Sequence, residues 1–182
     1  MNNYRRMTVA SALVVAGFLA VAPSLKARIV GADSEEISKL LADAKAEAVE
    51  LKSDAEDMES FTNSQLHWRS YATKVEMIKE HVNKTGGLVA KMEAVKHEGS
   101  VWQQKAIEQI KPLLTELAAN AQTTIKYLKE NPTRVHMSEF RDYVRANYEL
   151  SRDLEALIRD FVDYDNAKQE LARLGDKLEV TE

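Results

Sequence analysis

A three-four alternation of apolar side chains, held in phase over most of the chain, is the feature that most constrains its fold. Ile37, Leu41, Ala44, Ala48, Leu51, Ala55 and Met58 form one such seam. Trp68, Tyr71, Val75, Ile78, Val82, Thr85, Val89 and Met92 form a second, and Ile107, Ile110, Leu114, Leu117, Ala121, Thr124 and Leu128 a third. Phe140, Tyr143, Asn147, Leu150, Leu154, Leu157 and Phe161 make the fourth. Residues three and four apart share one face of an α-helix, whereas a half-buried strand needs a spacing of two. Six Gly and three Pro in 182 residues are also too few for a many-stranded sandwich or barrel, with a turn every ~8 to 12 residues.

The fold expected is therefore all-α: an elongated antiparallel four-helix bundle with coiled-coil-like heptad seams, its helices at about 34-60, 63-97, 101-130 and 138-174. Connections of two to eight residues make consecutive helices antiparallel neighbours. Three capping boxes mark helix starts: Asp33 with Glu36, Thr62 with Gln65 (Phe61 and Leu66 forming a hydrophobic staple), and Ser100 with Gln103. Gly86-Gly87 costs about 2 kcal/mol against two alanines, but the seam keeps its phase across the pair. A bend inside one helix is expected there, and a kink at Pro112 in the third segment. Gly99, Asn131-Pro132 and Gly175 are stops. The alternative fuses the first two segments into one long helix, because Met58, Phe61, Gln65 and Trp68 also keep phase, and demands a dimer.

Residues 1-32 read differently. Arg5 and Arg6 precede an apolar run from Met7 to Ala22 broken only by Thr8, Ser11 and Gly17, and a more polar tail follows. Basic start, apolar centre and polar tail are the order of a signal peptide. Cleavage is expected after Ala32, where Val30-Gly31-Ala32 supplies small residues, with Ala27 next; Ala20-Val21-Ala22 is followed by the obstructive Pro23. The domain division is thus a signal peptide, 1-32, and a helical bundle, 33-182. The expected location is the periplasm or the medium. An uncleaved inner-membrane anchor through residues 7-25 is the alternative, and only then does the membrane become a partner.

Composition excludes much chemistry. With no Cys there are no disulfides, thiolate metal sites, covalent haem or cysteine nucleophiles. Residues 33-182 carry 21 basic and 29 acidic side chains, a poor match for a nucleic-acid backbone. No two of His67, His81, His97 and His136 stand three or four apart, so no helix face offers a local metal pair. Glu-x-x-His, the di-metal signature of carboxylate bundles, does not occur. Met58, Met92, Met137 and His67 leave noncovalent haem formally open, although packing explains the seam methionines better. Glu35-Glu36, Asp54 with Asp57, and Asp163 with Asp165 read as solvated carboxylates on polar faces or near helix ends. Gly86-Gly87 lacks the Lys and Ser/Thr of a phosphate loop, and there is no G-x-S-x-G elbow. The aromatic residues Trp68, Trp102, Tyr127, Phe140, Tyr143, Tyr148, Phe161 and Tyr164 fit core or core-edge positions, some of Tyr143, Tyr148 and Tyr164 being partly exposed.

The stretches Trp102-Gln103-Gln104-Lys105-Ala106-Ile107 through Pro112-Leu113-Leu114, and Asp142-Tyr143-Val144-Arg145-Ala146-Asn147-Tyr148-Glu149-Leu150, resemble an uncharacterised family of exported all-helical bacterial proteins. The resemblance spans about residues 55-180 and implies neither an activity nor site residues. No catalytic, cofactor-binding or metal-binding residues are expected and no cofactor is implied. The expected function is noncatalytic: an exported helical protein acting through helix-helix or protein-protein contacts, with an unknown protein partner or self-association. The alternative class is a bundle of the cell envelope carrying a small ligand, haem or metal.

Overall fold

A computed structural model describes residues 32-178 with the exception of Gln65. The expected signal peptide, 1-32, lies outside the described residues up to residue 31. The chain forms four helices, α1 (Glu35–Phe61), α2 (Trp68–Ala94), α3 (Val101–Glu130) and α4 (Ser138–Leu178), with a single 3-10 turn at Lys96–Glu98. It is an all-α bundle, as the periodicity implies.

Pairs between helices set the topology. From α1 to α2, Glu47 meets His81, Asp54 meets Lys74 and Phe61 meets Tyr71, so the numbers run in opposite senses. The same inversion holds for α2 and the 3-10 turn after it with α3 (Glu93–Lys111, Lys96–Glu108), for α3 with α4 (Trp102–Tyr164, Tyr127–Phe140) and for α1 with α4 (Lys45–Asp163, Glu59–Arg145). Each helix packs on two neighbours, and α4 returns to α1 to close the ring. The result is an up-down-up-down bundle, made as a closed unit by a genuine connection at residues 62-67; one long first helix is therefore excluded.

Every seam position in α1 and α3 is buried, as is every one in α2 except the half-buried Trp68. Ala44, Ala48 and Ala55 are completely covered, which lets the neighbours of α1 approach closely. At one end of the core Tyr71 sits edge-on to Phe61 and Phe140, ring centroids 5.9 and 5.1 Å apart, while Phe140 stacks on Tyr127 at 5.7 Å. Tyr71 donates its hydroxyl to the Phe61 carbonyl at 2.7 Å, so the last turn of α1 is tied to α2 without leaving a buried donor unpaired.

Five local expectations need correction. The α1 cap is Ser34, whose Oγ accepts from the Ile37 amide; Asp33 is instead drawn to α3 and α4, and Glu36 faces solvent. Thr62 caps no helix start: its amide and hydroxyl donate back to Glu59, closing α1, and its expected partner Gln65 lies outside the described residues. The second helix begins at Trp68 instead of residue 63, with the His67 Nδ1 accepting from the Arg69 amide. On α4 the expected Phe140, Asn147 and Leu154 are buried, but the seam positions between them are displaced by one residue. Val144, Ser151, Ile158 and Val162 are covered, while Tyr143, Leu150, Leu157 and Phe161 lie at the half-buried edge; four-then-three spacing from Phe140 satisfies the helical period as well as three-then-four. Finally, α4 does not stop at Gly175; one glycine costs only about 1 kcal/mol in a stretch otherwise rich in helix formers.

Gly86-Gly87 lies inside one unbroken helix, and α3 runs continuously through Pro112, whose side faces solvent. Ser100 and Gln103 form the capping box that opens α3. Among the described residues no helix is long and apolar enough to cross a membrane.

Candidate functional site

The N-termini of α1 and α3 meet the Tyr164 to Gln169 stretch of α4 at one end of the bundle, and Gln103 organises it. Fully buried on the first turn of α3, Gln103 completes the Ser100 box by accepting from that residue's amide at 3.0 Å. Its Oε1 also accepts from the Ser34 amide at 2.8 Å, while its Nε2 donates to the Ser34 carbonyl at 2.9 Å and to the Ser38 Oγ at 3.1 Å. One side chain thus caps its own helix and fixes the backbone entering another. Gln at a capping-box position was visible in the sequence, but its long-range use depends on α1 and α3 sharing an end.

Asp33 is held just outside α1. Trp102 donates its indole N–H to Asp33 Oδ1 at 2.7 Å, and Lys168 of α4 donates to Oδ2. Burial alone pushes this carboxyl upward, but hydrogen bonds from Lys168, Ser100 and Trp102 together with the Lys168 charge outweigh it and hold the group below 3.8. Asp33, Glu35, Ser38, Asp165 and Gln169 line a cleft of about 480 Å³ between α1 and α4. Asp165 is 5% exposed, and its Oδ1 is buried with no hydrogen-bond partner. A bare carboxylate oxygen in that position is costly, so it stands out from the satisfied polar groups around it.

Beyond Asp165, residues 166-170 of α4 lie exposed, and the helix continues to Leu178 with almost no cover. The thirteen residues after Asp165 extend about 20 Å at 1.5 Å per residue. Leu171, Leu174 and Leu178 are 72%, 37% and 66% exposed, and Tyr164, leaning edge-on to Trp102, is 52% exposed. With Ala167 these residues repeat at three-four spacing, so they form one apolar stripe on a different face of α4 from its buried Ile158, Val162 and Asp165. Around the stripe Lys168, Glu170, Arg173, Asp176 and Lys177 mix both signs of charge, and Arg173 makes a two-pronged pair with Glu170.

The histidines are not brought together. His67 is the α2 cap, while His97 and His136 lie on the surface. His81 differs, for it lies between two acids of α1, with Nδ1 2.7 Å from Glu47 Oε2 and Nε2 3.6 Å from Asp54 Oδ2. Asp54 is buried, contrary to its reading as a solvated carboxylate, and Lys74 bridges it to the exposed Asp57 at 2.9 and 2.7 Å. The same correction applies to Asp165, whereas Asp163, Glu35 and Glu36 are exposed as expected. Glu47 and Asp54 thus stand at the two ring nitrogens of His81, and Asp54 is shared with Lys74, so a row of polar pairs joins α1 to α2. Among the described residues no group of three or more His, Asp or Glu is placed to hold a metal ion.

Of the residues that left haem open, Met58 and Met92 are fully buried core side chains, Met137 is exposed between α3 and α4, and His67 is an exposed cap. Searches of protein-family models, curated proteins and solved structures found no match to this chain.

Proposed function

We propose that the protein is a noncatalytic exported helical protein that works through helix-helix contacts made by the free end of α4. The observation that carries this reading is the exposed three-four stripe Ala167, Leu171, Leu174 and Leu178, apolar yet without a partner helix among the described residues. Three-four spacing suits an amphipathic helix as occupant, because knobs at these positions seat into the surface of another helix. The mixed charges beside the stripe fit a protein partner better than a lipid surface, which favours a Lys/Arg-rich polar face. A second copy satisfies the same chemistry. In an antiparallel pair, Leu171 faces Leu174, Ala167 faces Leu178, and Glu170 comes beside Lys177 of the other chain. Placement in the periplasm or medium rests on the charge-split N-terminal segment.

Light scattering of the exported protein, with a pull-down from envelope extract, tests the reading. The wild type should associate with itself or retain a helical partner, and the paired Leu171→Glu and Leu178→Glu variant should lose that association without a change in melting temperature. A wild-type monomer that retains nothing counts decisively against the proposal.

A further inference from the structure

The unpartnered oxygen of Asp165 lies in a cleft that Asp33 also lines, and Asp33 is the residue that follows the expected export cleavage position. We propose that the Asp165 carboxylate receives the α-ammonium group created on Asp33 when the chain is processed, so that cleavage completes this end of the bundle. The proposal rests on the reading of the chain as exported and cut after Ala32.

The chemistry is a simple hydrolysis. A signal peptidase adds one water across the Ala32–Asp33 peptide bond, leaving a carboxylate on Ala32 and an amine on Asp33 that is protonated at neutral pH. Before the cut, the Asp33 nitrogen is a neutral amide. Afterwards it is a cation on a residue whose position is already fixed, since Trp102 and Lys168 hold the Asp33 side chain and Gln103 grips the next residue through both the amide and the carbonyl of Ser34.

Charge balance favours the pairing. Asp33, Glu35 and Asp165 bring three carboxylates to the cleft, while the neighbouring cation, Lys168, is engaged by Asp33. The positive end of α1 offsets part of that excess, through the first-turn amides. Ser38 and Gln169 are neutral and leave the Asp165 Oδ1 unsatisfied. A metal ion is a poorer candidate than an ammonium, because among the described residues no three ligands converge. Burying a carboxylate beside an ammonium that no unprocessed chain possesses makes the folded end sensitive to processing, and it does so next to the α4 stripe proposed for partner contact.

The test uses protein exported from the full-length gene, wild type and Asp165→Asn, with the first residue read by intact mass. An amine-acylating reagent at neutral pH then reports the reactivity of the α-amine, with the exposed Lys39 as internal reference. With Asp33 first, acylation of the wild-type α-amine should be at least about tenfold slower than in Asp165→Asn, the factor that corresponds to one unit of preferential protonation. A second variant with Gly-Ser inserted after Asp33 keeps the cleavage site and Asp165 but displaces the clamp from the new terminus. Its α-amine should react as fast as that of Asp165→Asn, even if that variant folds poorly. Equal rates in wild type and both variants overturn the pairing. A first residue other than Asp33 overturns it by a different route, by showing that the processing position is wrong.

Discussion

Asn147 on α4 donates its Nδ2 to the Thr124 Oγ1 of α3 at 2.9 Å and to the Tyr143 carbonyl at 3.0 Å, while its own Oδ1 is buried without a partner. Thr124 meanwhile spends its hydroxyl proton on the Asn120 carbonyl. The pair joins two helices inside the core and sets their register through a group that has donors on one side only. Asn147→Asp keeps the shape and replaces those donors by a carboxylate with nothing to accept from. It should cost about 3 kcal/mol at pH 7 in urea denaturation. Burial without donors raises the folded-state carboxyl above its unfolded value near 3.9, so the loss should be absent below about pH 4 and grow as pH rises above it. A variant equally destabilised at pH 3 and pH 7 points to packing instead.

Lys74 carries the opposite dependence. Hydrogen bonding to Asp57 raises its ammonium above 10.5; burial opposes this, and the Asp54 hydrogen bond and the charges of both acids reinforce the rise. Its contribution to stability is therefore complete below about pH 10.5 and lost as pH climbs through the higher folded-state value. Lys74→Met should lower stability at neutral pH by about 1–3 kcal/mol, because buried Asp54 loses its cation. It should also flatten the alkaline limb of the wild-type profile. Chemical denaturation from pH 7 to 11 checks both, and an unchanged limb removes Lys74 as its cause.

How much of this was legible in sequence depends on the side chain. The seams of α1, α2 and α3 were readable because their large apolar groups alone decide the buried face, and Ile37 to Met58 fall where the spacing puts them. On α4 Phe140, Asn147 and Leu154 are buried as the spacing implies, but the positions between them shift by one, since Ser151 is polar yet central and only the neighbouring helices reveal that. The Thr62 signal misled because its hydroxyl bonds equally well to the turn behind it, and local pattern does not fix the direction. At the candidate site, Asp33 and Asp165 are 132 positions apart, and no local rule joins them. They meet because α4 returns antiparallel to α1.

Gly86 and Gly87 give a cleaner test of local propensity. A Cβ added to either meets nothing within 4 Å, and both sit inside α2. Alanine at each should raise stability by about 0.8–1 kcal/mol, through helix propensity and a less flexible unfolded chain. The double variant should show nearly the sum in thermal or urea unfolding. A loss of stability instead means that α2 uses the flexibility of this pair in its folded state.

Gly99 is the contrasting case, buried at the junction of α2 and α3 with an extended backbone, φ −80° and ψ 153°, that any residue adopts. Here space alone excludes a side chain: a Cβ would lie 2.7 Å from the Ile37 Cδ1 and 3.3 Å from the Gln103 Cβ. Ile37 is fully buried and Gln103 is held by its hydrogen bonds to Ser34, Ser38 and Ser100, so neither yields freely. Gly99→Ala should cost about 1–3 kcal/mol by overpacking, and Ile37→Val about 0.5–1.5 kcal/mol by leaving a small void. Together they should cost less than the sum, because the methyl that Val lacks is the one the new Cβ meets. The double-mutant cycle measures this directly, with an expected favourable coupling of about 1 kcal/mol. Simple additivity would place the strain at Gln103, and Gly99→Ala would then weaken the clamp on Ser34 as well as the core.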